Sequence, residues 1–316
     1  AGRIGRPELR RGSTGEYRAS PRFGRRLCLA TRNDRPIDLH VHTTASDGDL
    51  SPGACVERAA ALGLAAIGIA DHDTTAGNAE ALAAGRGAGI EVVPGVEVAA
   101  RHEHRSLHLL GYYPEAEAPE LEAVLATSRA RRDERNPQIL ERLAALGCPV
   151  SLEEVAGEAG YGIVGRAHIA AVMVRRGYVA NAQEAFDRYL AKGAAAYVER
   201  RKPGAAEVLT ALLDARAVPV LAHPGTLDVR SADAMDALLA PLVDLGLRGL
   251  EVYYHAHNRR RTAVYLRAAQ EWGLVATGGS DFHGRVKPDI ELGRGLGNLH
   301  VPYALLGPLK AERSRL

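Results

Sequence analysis

The chain has 316 residues, 46% of them hydrophobic, and a formal charge of only +2. That is enough apolar material for one large domain or two smaller ones. It argues against a membrane protein, because no apolar run approaches the length of a span, and the charged start carries no signal-peptide pattern.

Cys28, Cys55 and Cys148 are scattered without metal-type spacing and read as reduced thiols of a cytoplasmic protein. The small net charge hides an asymmetry. Residues 1–35 hold ten arginines against Glu8, Glu16 and Asp34, a balance of +7, which leaves −5 on the remainder. With few apolar residues and little periodicity, residues 1–35 are expected to form a disordered basic extension, either a nucleic-acid arm or a segment foreign to the native protein. The mildly acidic body argues against a broad nucleic-acid-coating surface, but not against a small basic pocket.

From residue 36 onward, short β-rich runs alternate with alanine- and leucine-rich helical runs. "IDLHV" reads as a strand, and "SPGACVERAAALG" as a helix with Ser51 at the N-cap, Pro52 at the first helical position and Gly63 as its stop. "LAAIGIADHD" is the next strand and "AGNAEALAAGRGAG" the next helix; "IEVVPGVEV" and "SLHLLGYY" follow as strands. This alternation predicts an α/β fold with much parallel pairing. From residue 117 to 200 the pattern becomes helical throughout. Pro137 is an expected break or kink, and Ser151–Glu154 and Asn181–Glu184 have capping-box spacing. The strand–helix rhythm then resumes with "AVPVLAHPG", "SADAMDALLAPLVDLG", "RGLEVYYH", "NRRRTAVYLRAAQEWG" and "LVATGGSDFHG".

Nearly every predicted strand ends in a metal-capable or acid–base residue: His40 and His42, then Asp71, His72 and Asp73, then Glu97, His108, His223, and finally Asp281 and His283. Side chains two apart on a strand share a face, so His40 and His42 could reach one ion; alone, such a pair is as often a surface feature. Parallel α/β barrels collect their active sites at the carboxyl ends of the strands, which points to a single polar centre here. His102, His104 and His300 have no supporting pattern and read as surface residues.

The strings "DLHVHTTASDG", "IADHDT", "PGVEV", "HLLGY", "GRAHIA", "AHPG" and "GSDFHG", spread from residue 36 to about 300, resemble the PHP (polymerase and histidinol phosphatase) superfamily. Within it, they resemble the branch of nucleoside 3′,5′-bisphosphate phosphatases and 5′-3′ exoribonucleases. The resemblance implies a distorted (β/α)7 barrel with an inserted all-helical cap domain: barrel over 36–116, helical insertion over 117–200, barrel again over 201–316. It implies two or three divalent metal ions, manganese first, with iron or zinc as alternatives. His40, His42, Glu97 and Asp281 would hold one ion. Glu97 would bridge to a second, completed by His108 and His223, and Asp47, His72 and His283 would hold a third.

The implied reaction is hydrolysis, by a metal-bound hydroxide, of a phosphate ester in a small nucleotide or a short 5′-phosphorylated oligonucleotide. Arg166 and His168 of "GRAHIA" are candidates for substrate contact, with capping or solvation of a helix as the competing reading of Arg166. Asp71 or Asp73 could serve as general acid or could orient a ligand imidazole. Glu251 is a further orienting candidate, and His255 and His257 could touch substrate. Tyr253 and Tyr254 could stack a base, although a core or rim position is the commoner fate of such a pair. Arg132 and Arg135 in "RARRDERN" read as a solvated charged face. One departure stands out: many relatives of this branch carry arginine after "HPG", whereas this chain has Thr226, with Arg230 the nearest arginine. That weakens the expectation of a second phosphate bound in the usual way. Histidinol-phosphate-type and cyclic-phosphate phosphoesterases on the same barrel, and a noncatalytic metal-stabilised binding module, remain alternatives. No obligate protein partner is expected.

Overall fold

The computed structural model describes residues 34–316 except Tyr161, Asp228 and Arg230. The expected basic extension therefore lies outside the described residues, apart from its last two positions. In chain order the elements are β1 (Ile37–Val41), α1 (Pro52–Ala61), β2 (Ala66–Ile69), α2 (Asn78–Ala88), β3 (Glu91–Val93), β4 (Gly95–His102), β5 (Arg105–Tyr112), α3 (Pro119–Ala145), α4 (Leu152–Ala159), α5 (Arg166–Arg175), α6 (Ala182–Ala185), α7 (Ala205–Asp214), β6 (Val218–Leu221), α8 (Ala232–Asp244), β7 (Gly249–Tyr254), α9 (Arg259–Glu271), β8 (Val275–Gly279) and α10 (Leu306–Arg313).

Local chemistry sets many of these boundaries. Ser51 accepts from the Ala54 N–H to start α1, and left-handed Gly63 follows its end. Ser151 and Glu154 form a full capping box at α4. Asn181 supplies only half of one at α6, because Glu184 turns back to the Ala180 N–H instead. Pro94 splits the expected single strand "IEVVPGVEV" into β3 and β4, since proline removes a ladder donor.

The strands form two sheets. One runs β1–β2–β3, all parallel, and the other runs β4–β5–β6–β7–β8. The expectation of parallel pairing is corrected in part: β4–β5 and β5–β6 are antiparallel. Only two residues separate β4 from β5, which permits a hairpin but no crossover. The sheets also touch. Asp281 N–H donates to His40 O and His42 N–H to Phe282 O, so the end of β8 lies along β1. His72, just past β2, forms a parallel bridge with Glu97 of β4.

The first sheet buries Ile67 and Ile69 with Val56 and Ala59 of α1. The second packs Val96, Val98 and Leu109 against Leu209 and Leu212 of α7 and Leu239 of α8. The helical stretch has an apolar cluster of its own, built from Ile139, Leu143, Val155, Ile169, Met173 and Leu190. α3 runs unbroken through Pro137, contrary to the expected break. Burial of Ile139, Leu140 and Leu143 just beyond the proline offsets the hydrogen bond it removes. Among the described residues, no helix is long and apolar enough to cross a membrane.

Candidate metal centre

The ends of β1, β2, β6 and β8, together with Glu97 inside β4 and His108 inside β5, deliver polar side chains to one place. β1 supplies His40 and the residue just after the strand is His42, both fully buried, and β4 supplies Glu97, which is 1% exposed. Five imidazoles surround the Glu97 carboxylate. His108 Nδ1 and His223 Nε2 lie 2.8 and 3.0 Å from Oε1, and His40 Nε2 is 3.5 Å from it. His72 Nδ1 and His42 Nε2 lie 2.8 and 3.4 Å from Oε2. Asp281 Oδ1 stands 3.3 Å from His42 Nε2 and 3.7 Å from His40 Nε2. Asp47 closes the far side, with Oδ1 3.4 Å from His283 Nε2 and Oδ2 4.0 Å from His72 Nε2.

Three overlapping donor groups result: His42, Asp47, His72 and His283; His40, His42 and Glu97; and His72, Glu97 and His108. The fit to cations can be judged from the orphaned atoms. His40 Nε2, both ring nitrogens of His42 and His72 Nδ1 are buried without a hydrogen-bond partner. Several are close to a carboxylate oxygen yet point past it. Lone pairs that converge on a common point, with donor atoms about 3–3.5 Å apart, have the geometry of ligands around an ion with bonds of about 2.1 Å. The residues fit divalent metal ions.

Electrostatics suits the same role. Burial raises Glu97, but His108, His72 and His40 more than offset it and hold the carboxyl well below its usual range. Asp47 is likewise held down by His72 and His283 against burial, and Asp281 by Lys287 and His283. Burial, then His283 and His72, push His42 well down, and burial pushes His108 down to about 4. Ionised carboxylates and neutral imidazoles are the forms that ligate metals. His40 and His72 run the other way: burial opposes protonation, but Glu251 and Glu97 raise His40, while Glu97 and Asp47 raise His72.

A bracing layer holds these side chains. Glu251 Oε1 lies 2.9 Å from His40 Nδ1, and its Oε2 accepts the His223 N–H at 2.6 Å. Tyr254 O–H and Lys287 Nζ donate to Asp281 Oδ2 at 3.0 and 2.7 Å. Asp71 accepts from Thr43 N–H and Oγ1 and from Ser46 Oγ, which pins the loop after β1. Asp73 faces away to Arg132 and Arg200, at 2.7 and 3.1 Å. Asp73, His223 and Asp281 all have positive φ, at 54°, 28° and 57°. Such backbone costs about 1–3 kcal/mol each and persists where surrounding structure enforces it.

The other candidates sort by their partners. Arg166 lines a cavity of about 1030 Å³ beside the cluster, together with His72, His108 and His283. It donates to Leu190 O and lies between the rings of Phe186 and Tyr197. His168 is buried, and its Nδ1 accepts the Gly165 N–H at the start of α5. His255 lines the cavity, whereas His257 is held by Val252 O and the Gly225 N–H. Thr226 Oγ1 lies 3.2 Å from His223 Nδ1 and donates to His223 O, so its hydroxyl orients a histidine. Tyr254 is buried against Asp281, which leaves no face for a base. His104 and His300 are exposed, as expected. Arg132 and Arg135 correct the expectation of a solvated face: both are buried and both line the cavity, because α3 packs that side against the body.

Sequence reasoning missed three residues. Asp38 accepts from Ser280 N–H and Oγ and from Gly293 N–H, which ties β1 to the β8 end. Arg200 reaches Asp73, and Lys287 reaches Asp281. Asp38, two residues before His40 inside an apolar strand, carried the one usable signal: a buried carboxylate demands partners.

The model of the PHP domain matches residues 38–199. The chain belongs to the PHP domain family. A 5′-3′ exoribonuclease of Haemophilus influenzae is 34% identical, covering 79% of this chain and 90% of its own. A 3′,5′-nucleoside bisphosphate phosphatase of Chromobacterium violaceum is 32% identical (78% and 87% covered). A phosphoribosyl 1,2-cyclic phosphate 1,2-diphosphodiesterase of Eggerthella lenta is 34% identical (78% and 94% covered). A crystal structure from Bifidobacterium adolescentis, assigned as a metal-dependent phosphoesterase, superposes on this PHP protein with a TM-score of 0.78 at 31% identity. It covers 88% of this chain and 96% of its own.

Proposed function

We infer that this PHP protein is a metal-dependent phosphoesterase that hydrolyses a phosphate ester of a small nucleotide, such as a nucleoside 3′,5′-bisphosphate, or of a short 5′-phosphorylated oligonucleotide. The observation that carries the reading is the convergence of six imidazoles and three carboxylates at the floor of a basic cavity. His40, His42, Glu97 and Asp281 would hold one divalent ion, Glu97 with His108 and His223 a second, and Asp47, His72 and His283 a third; manganese, iron and zinc all suit these donors. When bound, such ions activate a water and neutralise charge on the attacking and leaving oxygens of an in-line displacement.

The chain's own residues do the rest. Glu251 fixes the tautomer of His40 and anchors the His223 backbone. Asp71 pins the loop that carries Asp47. Arg166 holds a phosphate oxygen from the cavity wall, where its planar fork matches the anion. His168 positions Arg166 by capping their shared helix. The hydrogen bonds of Asp71 and Asp73 favour positioning over proton donation, so we assign neither as general acid.

The contacts between β1 and the β8 end, and between His72 and β4, support closure of the strands into a distorted barrel. The separate apolar cluster of residues 139–198 supports a helical cap over that barrel's mouth. Buried free thiols at Cys55 and Cys148 suit a reducing cytoplasm.

A relative named for a cyclic phosphate has the same 34% identity as the exoribonuclease, so the substrate panel spans both chemistries. Hydrolysis with manganese is followed as phosphate released from adenosine 3′,5′-bisphosphate and histidinol phosphate, and as nucleotide or ring-opened product separated by chromatography from a 5′-phosphorylated RNA trimer and a ribose 1,2-cyclic phosphate. Turnover of the bisphosphate or RNA, lost together with metal in Asp281→Ala, is the expected result. Turnover of the cyclic ester alone would move the substrate, and Asp281→Ala with metal and activity intact would overturn the site.

A further inference from the structure

The helical wall of the cavity carries a feature that the metal chemistry does not use. Arg132 and Arg135 of α3, Arg166 of α5 and Arg200 all line it. Asp73 is the carboxylate among them, and it is taken: Arg132 Nε and Nη2 both reach its Oδ2 at 2.7 Å, and Arg200 reaches it at 3.1 Å. Arg166 is held by a carbonyl. Arg135 is 6% exposed, donates only to the side chain of its neighbour Asn136, and its buried Nε has no partner. Lys192 and Lys202 add charge at the rim, where Glu199 answers Lys202 at 3.5 Å and also accepts from Tyr197 O–H. Asp73 thus answers two of three buried guanidiniums, Arg132 and Arg200, and leaves Arg135 without a carboxylate partner, with half-buried Arg166 alongside. Guanidiniums have donors and no lone pairs, so they cannot take up a metal ion; an anion has to answer them.

The position of the cluster narrows the anion. Arg132 Nη1 and Asp47 Oδ2 lie 3.7 and 4.0 Å from the point where a Cβ at Gly165 would stand. The arginine wall and the ion-binding carboxylate therefore meet across a glycine, within one cavity and within the reach of one small substrate. Thr226, at the position where arginine was expected, is committed to His223.

We propose that Arg135, with Arg132 and Arg200 beside it, forms a second phosphate subsite that holds the non-scissile phosphate of a substrate carrying two phosphates, in place of the arginine that is missing after "HPG". This rests on the phosphoesterase reading and names the part of the substrate that the metals do not touch. Like-charge crowding is consistent with it: burial, then Arg132, Arg166 and Arg200, push Arg135 down to about 9. A side chain kept in such a place lowers the stability of the free protein and repays it on ligand binding.

The test compares the metal-loaded full chain with Arg135→Gln on adenosine 3′,5′-bisphosphate and on adenosine 3′- and 5′-monophosphate. The thermal shift given by each nucleotide is measured alongside. Arg135→Gln is expected to lower kcat/KM for the bisphosphate about 10-fold or more, as loss of a charged hydrogen bond to phosphate should. The monophosphates should change by less than about 3-fold under the same rule, metal content should be unchanged, and the melting temperature of the free protein should be equal or higher. Thr226→Val should leave the ratio of bisphosphate to monophosphate turnover where it was. Equal losses on all three nucleotides, or a lower melting temperature with no change in that ratio, would overturn the subsite and leave the hydrolase reading standing. If the wild type hydrolyses none of them, the hydrolase reading falls instead. The thermal shift then decides the subsite: stabilisation specific to the bisphosphate and absent in Arg135→Gln supports it, and equal stabilisation of both proteins refutes it.

Discussion

Glu97 and Asp73 are both buried carboxylates close to strand ends, yet five imidazoles gather on the first and two guanidiniums on the second. The chemistry of the company decides what each region binds. Imidazole offers a lone pair and can stay neutral in a dry site, so a carboxylate among imidazoles makes a cation site. Guanidinium offers only donors and keeps its charge, so a carboxylate among an excess of guanidiniums leaves positive charge for an anion. The floor of the cavity and its helical wall thus divide the work expected of a phosphoesterase: one region activates water, the other holds the part of the substrate that does not react.

Three variants separate the regions. The largest stability effect is expected from Asp73→Asn, which strips the partner from two buried guanidiniums and should cost about 3–5 kcal/mol in urea unfolding. Burial raises the Asp73 carboxyl, and Arg132 and Arg200 more than offset this, so it sits below its ordinary 3.8. A lowered carboxyl contributes its stability in full above the unfolded value and loses it as the pH falls through the folded one. The gap between wild type and variant should therefore be constant above the ordinary carboxylate range and narrow as the pH falls below it. A gap that does not narrow in acid would show that Asp73 acts through packing alone.

Glu251→Gln should act on the other region. It weakens the hold on His40 and His223, and metal affinity, read by competition with a chelator, should fall about 10–100-fold. Preference for a two-phosphate substrate should survive in the residual activity, and its loss would mean that the floor and the wall are not separable. Arg135→Gln is the mirror image, with metal retained and that preference gone.

The two regions also differed in how much of them could be read from the chain. The floor was legible because each donor sits in a short motif at a predicted strand end: His40 and His42 two apart at the end of β1, and Asp281 and His283 at the end of β8. The strand period brings His40 and His42 to one face, whereas Asp281 and His283 lie past the end of β8, with Asp281 at a φ of 57°. The wall was not legible. "RARRDERN" has the look of a solvated helix face, and burial of Arg132 and Arg135 depends on which side of α3 meets the body, a tertiary fact. Arg200 lies in a stretch without regular structure, where no period marks it. Braces such as Asp38 hold residues more than two hundred positions away, and single-chain periodicity carries no information about such pairs. The antiparallel β4–β5 hairpin was masked by the expectation of crossovers, although the two-residue gap between the strands permits nothing else.

The centre stands or falls with Glu97, the carboxylate that two of the three donor groups share. The most direct measurement is the metal content of Glu97→Gln by plasma mass spectrometry after dialysis, paired with phosphate release from the preferred ester. The variant should retain fewer ions per chain than the wild type, and turnover should fall beyond the about 100-fold expected from loss of an outer brace alone. A Glu97→Gln protein with full metal content and unchanged phosphate release would contradict a metal centre built on this carboxylate.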